Sequence, residues 1–400
     1  MDRQPVPVPT RPRARRQSGR QSGRRWSALV GTAVPLALAA ALAPAALARP
    51  TTAASTAATR AGAYAAGLPA SRTAAAANPG NPLAGRPWGV YKGTADQAWA
   101  PYAKATGTEK TLLGKIALRP RSTWFGAWTS DADIHAKVDK YITAMSGGDP
   151  NVLVQMAVFR MRPWEHNACT RLPTAAEQSS YKTWINRFAS AVGAQHTAII
   201  LQPDGPFALC APGGSKVPSR LIGYAARTFA ALPHTAVYID AGATDWPSDD
   251  PVKAANILTP ASIGAVRGFA LNSTHYVSTA SEVAFGTAIV NELARRGYPG
   301  KHFVINTAQN GAPFRWAQKR TSNFDNSPVC TATMRTRCVT LGIPPTTDVA
   351  STRWGLGATD RARAAAHVDA FMWYGRPWLY MQADPYVKSR ALALARTTPW

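Results

Sequence analysis

Thr197-Ala198-Ile199-Ile200-Leu201-Gln202-Pro203-Asp204 is the most informative stretch of the 400-residue chain. Its apolar and β-branched residues run on without polar alternation until Pro203 and the Asp204-Gly205-Pro206 turn stop them. Such a run is too short for a helix and reads as a strand buried on both faces, as in parallel sheets covered by helices. Comparable runs, each bounded by turn residues, recur at 151–159, 235–240, 268–272, 302–307 and 368–373. Amphipathic helices are expected between them, over 175–192, 218–232, 278–296 and 360–366. The alternation marks an α/β chain with a parallel sheet, best closed as a barrel, although an open doubly wound sheet would read almost the same.

Working outward, residues 1–48 hold eight Arg and one acid, Asp2, so +7 of the formal +24 charge lies there and +17 remains elsewhere. An Arg-rich start, an apolar stretch over 28–42 and Ala46-Leu47-Ala48 form the three parts of an export signal, with cleavage expected after Ala48. A membrane anchor is the rival reading, but the apolar stretch is short and broken by Pro35 and Pro44. Residues 49–80, rich in Ala and Thr, lack an apolar period and read as a disordered lead-in. That leaves 81–400 as one folded domain. The basic balance raises nucleic acid as a partner, yet the Lys and Arg are scattered and no recognition motif accompanies them, so nucleic-acid binding is set aside.

Four cysteines, Cys169, Cys210, Cys330 and Cys338, suit an exported chain. They allow three pairings. Cys330 and Cys338 are near neighbours, and Cys169 and Cys210 each follow a predicted strand, so these two pairs are expected. The sequence has no Cys-x-x-Cys and no His pair at ligand spacing, so no metal is invoked. Residues 312–358 lack a clear period and are expected to form a long loop region stapled by a disulfide.

In parallel α/β folds ligands lie at the carboxyl ends of the strands. Four acids mark that edge, Glu165, Asp204, Asp240 and Asp384, and Trp124, Trp164, Trp246 and Trp378 fall at or beside the same loops. Cleaving a glycosidic bond needs one carboxyl that donates a proton and, for inversion, another that activates water, while aromatic rings cover the apolar faces of sugars. Each residue also has a plainer reading. Asp204 can be a turn or cap residue, Asp240 a buried structural acid, Asp384 a turn residue before Pro385, and any one Trp part of the core.

Taken in order, these residues resemble glycoside hydrolase family 6, the family of cellobiohydrolases and endoglucanases. The 197–204 stretch looks like that family's apolar strand followed by Leu-Glu-Pro-Asp. Tyr238-Ile239-Asp240-Ala241-Gly242 with Trp246, Ala270-Leu271-Asn272, Phe303 to Gly311, Cys338 with Gly342 to Thr347, and Val368 to Trp373 follow in the family's order, so the similarity runs over 82–400. The resemblance implies a distorted, incomplete parallel β/α barrel of about seven strands. It implies a secreted, monomeric glucanase that cleaves β-1,4-glucosidic bonds of cellulose or a related glucan with inversion and needs no cofactor. It makes Asp204 the general acid and Asp384 the base, and it puts Trp124, Trp246 and Asn272 at sugar subsites. Trp378 joins them from its place in the last strand-end loop. Cys169 and Cys210 match a family disulfide.

Three departures matter. The family's Arg-Asp-Cys is replaced by Asn167-Ala168-Cys169, so the Asp that helps keep the acid protonated is missing, and Glu165 is expected to take its part by charge repulsion. Gln202 stands where the family has Glu, which removes another negative charge beside Asp204. The segment 376–384 carries extra residues and no Cys. These departures keep two other readings open, a carbohydrate-binding protein that has lost catalysis and a hydrolase of another polysaccharide.

Overall fold

Seven short, largely buried strands pair side by side: β1 (Thr123–Gly126), β2 (Val154–Phe159), β3 (Thr197–Leu201), β4 (Thr235–Asp240), β5 (Gly268–Leu271), β6 (His302–Asn306) and β7 (Val368–Met372). All six ladders are parallel, and the spatial order follows the chain order. This computed structural model describes residues 80–94 and 96–400; the expected export signal (1–48) and, apart from Gly80, the lead-in (49–80) lie outside the described residues.

The sheet curls until its edges approach. Ser122 N–H donates to the Trp373 carbonyl at 2.9 Å, and Trp124 Nε1 to the Tyr374 carbonyl at 2.6 Å. No ladder joins β1 to β7; instead Thr346 exchanges two backbone hydrogen bonds with Phe371 on β7. The result is the distorted, incomplete α/β barrel that the resemblance implies. Side-chain size explains the tight curl. Ala157, Ala198, Ala236, Ala270 and Ala370 line the concave face, leaving room for Tyr238 and Tyr374 among them. The alternate residues, such as Ile199, Leu201, Val237, Ile239 and Phe269, pack outward against helices. With both faces buried, period-two alternation disappears and the strands read as continuous apolar runs.

Among the described residues the α-helices are α1 (Trp99–Lys104), α2 (Gly107–Ala117), α3 (Ile134–Ser146), α4 (Ala175–Val192), α5 (Val217–Ala230), α6 (Pro251–Leu258), α7 (Thr279–Arg295), α8 (Ala358–His367) and α9 (Lys388–Thr397). None of them is long and apolar enough to cross a membrane. The disulfides are Cys169–Cys210, which ties the loop after β2 to the loop after β3, and Cys330–Cys338. Apart from isolated bridges such as Val329 with Val339 and Thr346 with Phe371, residues 312–357 carry two short 3-10 turns, Trp316–Gln318 and Thr352–Trp354, before α8 begins at Ala358.

Candidate active site

β3 and β4 end side by side, and their ends bring two carboxylates to one edge. After Leu201 the chain turns sharply, with Gln202 and Asp204 both at positive φ (55° and 63°). Gly205 then passes so close to β4 that a Cβ would sit 2.1 Å from the Asp240 carbonyl oxygen. Glycine alone permits that approach. The Gly205 N–H thereby reaches Asp240 Oδ1 at 2.9 Å, and the Gly242 N–H reaches the same oxygen at 3.0 Å. Ser273 Oγ donates to Asp240 Oδ2. Asp240 is fully buried, and both its oxygens are occupied from within the protein.

Asp204 is half-buried. Thr274 Oγ1 donates to its Oδ1 at 2.9 Å. Burial is the chief cause that holds the Asp204 carboxyl well above the usual carboxylate range, and repulsion from Asp240 adds to it; the Thr274 hydrogen bond opposes, while Glu165 and Asp325 push further up. A half-buried acid whose proton affinity is raised in this way has the property a proton donor needs. Asp240 itself is pushed up to about 6 by burial, against hydrogen bonds from Ser273, Gly205 and Gly242 and the attraction of His275.

The other predicted acids converge on a guanidinium. Arg376 follows β7 and lies 4.2 Å over the Trp124 ring. Burial pulls its pKa down to about 10, while Asp384, Asp204 and Glu165 each pull it back up. One cation therefore feels three of the four acids expected at the strand ends. Glu165 is exposed and opens the 3-10 turn Glu165–Asn167 at φ 52°. Asp384 is exposed, and its Oδ1 accepts from Gln97 Nε2 at 2.9 Å. Gln382, two residues earlier, donates to the Thr274 carbonyl at 3.0 Å, so the Asp384 segment is anchored on the loop that hydrogen-bonds Asp204.

The aromatic expectations divide. Trp246 is half-buried, edge-on to Phe207 at 5.0 Å and stacked on His275 at 5.2 Å. His275 Nδ1 lies 2.7 Å from Asp245 Oδ1, and the other carboxylate oxygen accepts the Trp316 N–H at 2.6 Å. Burial would raise the Asp245 carboxyl, but the His275 hydrogen bond and charge outweigh it and hold it low. This fixes the stack under Trp246. Trp124 is largely covered by Arg376 and the barrel wall.

Two of the residues expected at sugar subsites lie inside the fold. Asn272 is fully buried at φ 68°. Its carboxamide is spent on the Val277 backbone and the Asn306 carbonyl, so it braces the β5 loop and offers no group to a sugar. Trp378 is 3% exposed and packs in a core with Trp373 and Leu379, so it is no platform. Thr274, Arg376 and Asp325 are the contributors that sequence reasoning missed. Asp325 reaches the site because Tyr276 Oη donates to the Phe324 and Asp325 carbonyls at 2.9 and 3.3 Å.

A parallel barrel with an acid of raised proton affinity at a strand end invites comparison with known families. A model of glycosyl hydrolases family 6 matches residues 89–373, well over half the chain. The chain belongs to glycosyl hydrolases family 6. Curated relatives include Endoglucanase A of Cellulomonas fimi, 32% identical over 247 residues that cover 60% of this chain and 51% of that protein. Endoglucanase 1 of Streptomyces halstedii is 31% identical over 216 residues, 53% of this chain and 65% of that protein. This chain thus spans about half to two thirds of the length of those relatives. Among solved structures, the endoglucanase Cel6 of Mycobacterium tuberculosis, in complex with a thio-cellobioside, superposes with a TM-score of 0.62 at 27% identity, covering 80% of this chain and 99% of that one.

Within glycosyl hydrolases family 6 this member departs in the charges around Asp204. Gln202 is buried and neutral, with Oε1 accepting the Met161 N–H at 3.2 Å, yet the Asp204 carboxyl is still held well above the usual carboxylate range because burial and Asp240 remain. Glu165 contributes to that push after Asp240 and ahead of Asp325. A prediction follows from the order. Asp240→Asn removes the larger repulsive charge, so Asp204 should lose its proton at lower pH. The basic limb of the kcat/KM profile should then move to lower pH, and Glu165→Gln should move it less in the same direction. Stopped assays from pH 4 to pH 9, ordinary buffer values spanning the carboxylate and imidazole ranges, read this directly. An unmoved limb in both variants would show that burial alone sets Asp204.

Proposed function

We propose that this chain is a secreted, monomeric glucanase that hydrolyses β-1,4-glucosidic bonds of cellulose or a related glucan with inversion. The observation that carries this reading is Asp204, half-buried at the end of β3 with its proton affinity raised by burial and by Asp240. It donates its proton to the departing glycosidic oxygen. Asp384, exposed on the loop after β7 and drawn toward Arg376, acts as the base that receives a proton from water. Inversion requires two such carboxyls far enough apart for a water on the far face of the sugar ring, and Asp204 and Asp384 stand on separate loops. Trp246, braced by His275 and Asp245, offers a sugar platform.

The names of the relatives, endoglucanases that share the family, support the substrate class. Two disulfides and the export-signal pattern of residues 1–48 support secretion. The retained acid and its raised pKa favour hydrolysis over a binding protein that has lost catalysis. The test is release of reducing ends from soluble cellulose derivatives and mixed-linkage β-glucan, with proton NMR of the first product formed. Inversion predicts the α-anomer first. No reducing ends from any glucan would remove the proposal, and the β-anomer first would remove inversion alone.

A further inference from the structure

Trp128 is the most exposed large apolar side chain among the described residues, 58% accessible where the barrel's other large hydrophobic groups are mostly covered. Exposed single tryptophans need no explanation by themselves, so its setting decides. It lies two residues past β1, on the same carboxyl edge as Asp204. Its ring rests on Gly126, where a Cβ would lie 2.3 and 2.5 Å from Cζ3 and Cη2. The missing side chain at 126 gives the indole a floor, and the rest of the ring stays open.

The turn that carries Trp128 is pinned on both sides. Ala127 N–H donates to the Phe159 carbonyl at 3.2 Å and Thr129 N–H to the Gly126 carbonyl at 3.0 Å. Arg162 Nη2 donates to the Ala127 carbonyl at 2.7 Å, and the buried Trp184 Nε1 to the Thr129 carbonyl at 3.0 Å. A ring held this way loses little freedom when something stacks on it, which is the condition for a strong contact from a small area.

The ring also continues a row. Phe159 lies between Trp128 and Trp124, with centroids 6.5 Å from the first and 5.3 Å from the second. Trp124 carries Arg376, the guanidinium that faces Asp384, Asp204 and Glu165. A chain of sugar rings engaged at the acids and running past Trp124 toward the β1 side meets Trp128 next.

We propose that Trp128 is an outer stacking platform for a sugar ring of the β-glucan chain, remote from the bond that is cleaved. The cleft then grips more rings than catalysis requires, which favours attack within long chains. This rests on the glucan reading above, and its test is separable from it. Cellotriose and cellohexaose are titrated calorimetrically into the full chain carrying Asp204→Asn, with and without Trp128→Ala, so that binding is read without turnover. The preference for cellohexaose over cellotriose should fall about fivefold to tenfold on Trp128→Ala, the value of one aromatic stacking contact, and Trp128→Phe should restore part of it. An unchanged preference, an equal loss for both sugars, or no binding of either overturns the platform. Reducing-sugar release by the unmodified chain judges hydrolysis independently, so a platform can stand where hydrolysis fails, and the reverse.

Discussion

Replacing Asp204 by Asn should lower kcat on β-glucan by about 10²- to 10⁴-fold, the usual worth of a positioned proton donor. The substitution is nearly isosteric. Thr274 Oγ1 donates to Oδ1 at 2.9 Å, and an amide oxygen at that position accepts the same bond, so the loop geometry has no reason to change. What disappears is the transferable proton. The loss should therefore shrink on a dinitrophenyl β-cellobioside, whose leaving group departs without protonation. KM should move little, because the missing interaction belongs to the transition state. An equal loss on both substrates would point to a structural role for Asp204, and an unchanged kcat would remove it from the mechanism.

The position of Asp204 was legible because strand logic and turn chemistry agree there. An apolar run of five residues cannot be a surface helix, and Pro203 with Gly205 ends it where a parallel fold places its ligands. β1 was harder. Thr123–Gly126 is only four residues long, with no continuous apolar run, and its partner β2 defines it more than its own sequence does. Helices such as α2, whose outward faces are mostly polar and whose buried residues are Leu113, Ile116 and Ala117, also left a weak period.

The site divided along a similar line. Acids at strand ends could be placed from sequence, but what each one feels could not. Asp240 acts on Asp204 through the close pass of Gly205, a contact between two strands that no local pattern encodes. Asn272 and Trp378 sat at strand-end positions and still turned inward, because an Asn in the left-handed region can satisfy its own loop's backbone and a large ring at the barrel rim finds a core to fill. Arg376 opens the 376–384 segment, and only its stacking on Trp124 across the open edge of the barrel brings it to the three acids. Asp325 belongs to a stretch without period, and no signal in the sequence points to it.

The far end of the barrel carries the second large effect, and it concerns stability. Asp369, on β7, is 1% exposed. Its carboxylate accepts both Nε and Nη2 of Arg267 at 2.8 Å, and Tyr238 Oη at 2.7 Å; His302 Nδ1 approaches to 3.4 Å. Asp369→Ala would take from the half-buried Arg267 guanidinium both of its hydrogen bonds to the carboxylate, and from Tyr238 its acceptor. Breaking a buried pair from one side costs about 3–5 kcal/mol, because the remaining charge keeps its desolvation penalty and loses its compensation. Urea denaturation of the full chain should show a lower midpoint at unchanged slope, with the midpoint shift multiplied by the slope equal to that loss. Removing both partners is a different matter. Asp369→Leu combined with Arg267→Met replaces the pair by apolar volume and should recover most of the loss, since the pair's net contribution is small once both desolvation costs are counted. If the double variant is as unstable as Asp369→Ala, the polar cluster has a further role in closing the sheet between β4 and β7, and Tyr238→Phe should then reproduce part of the damage by itself.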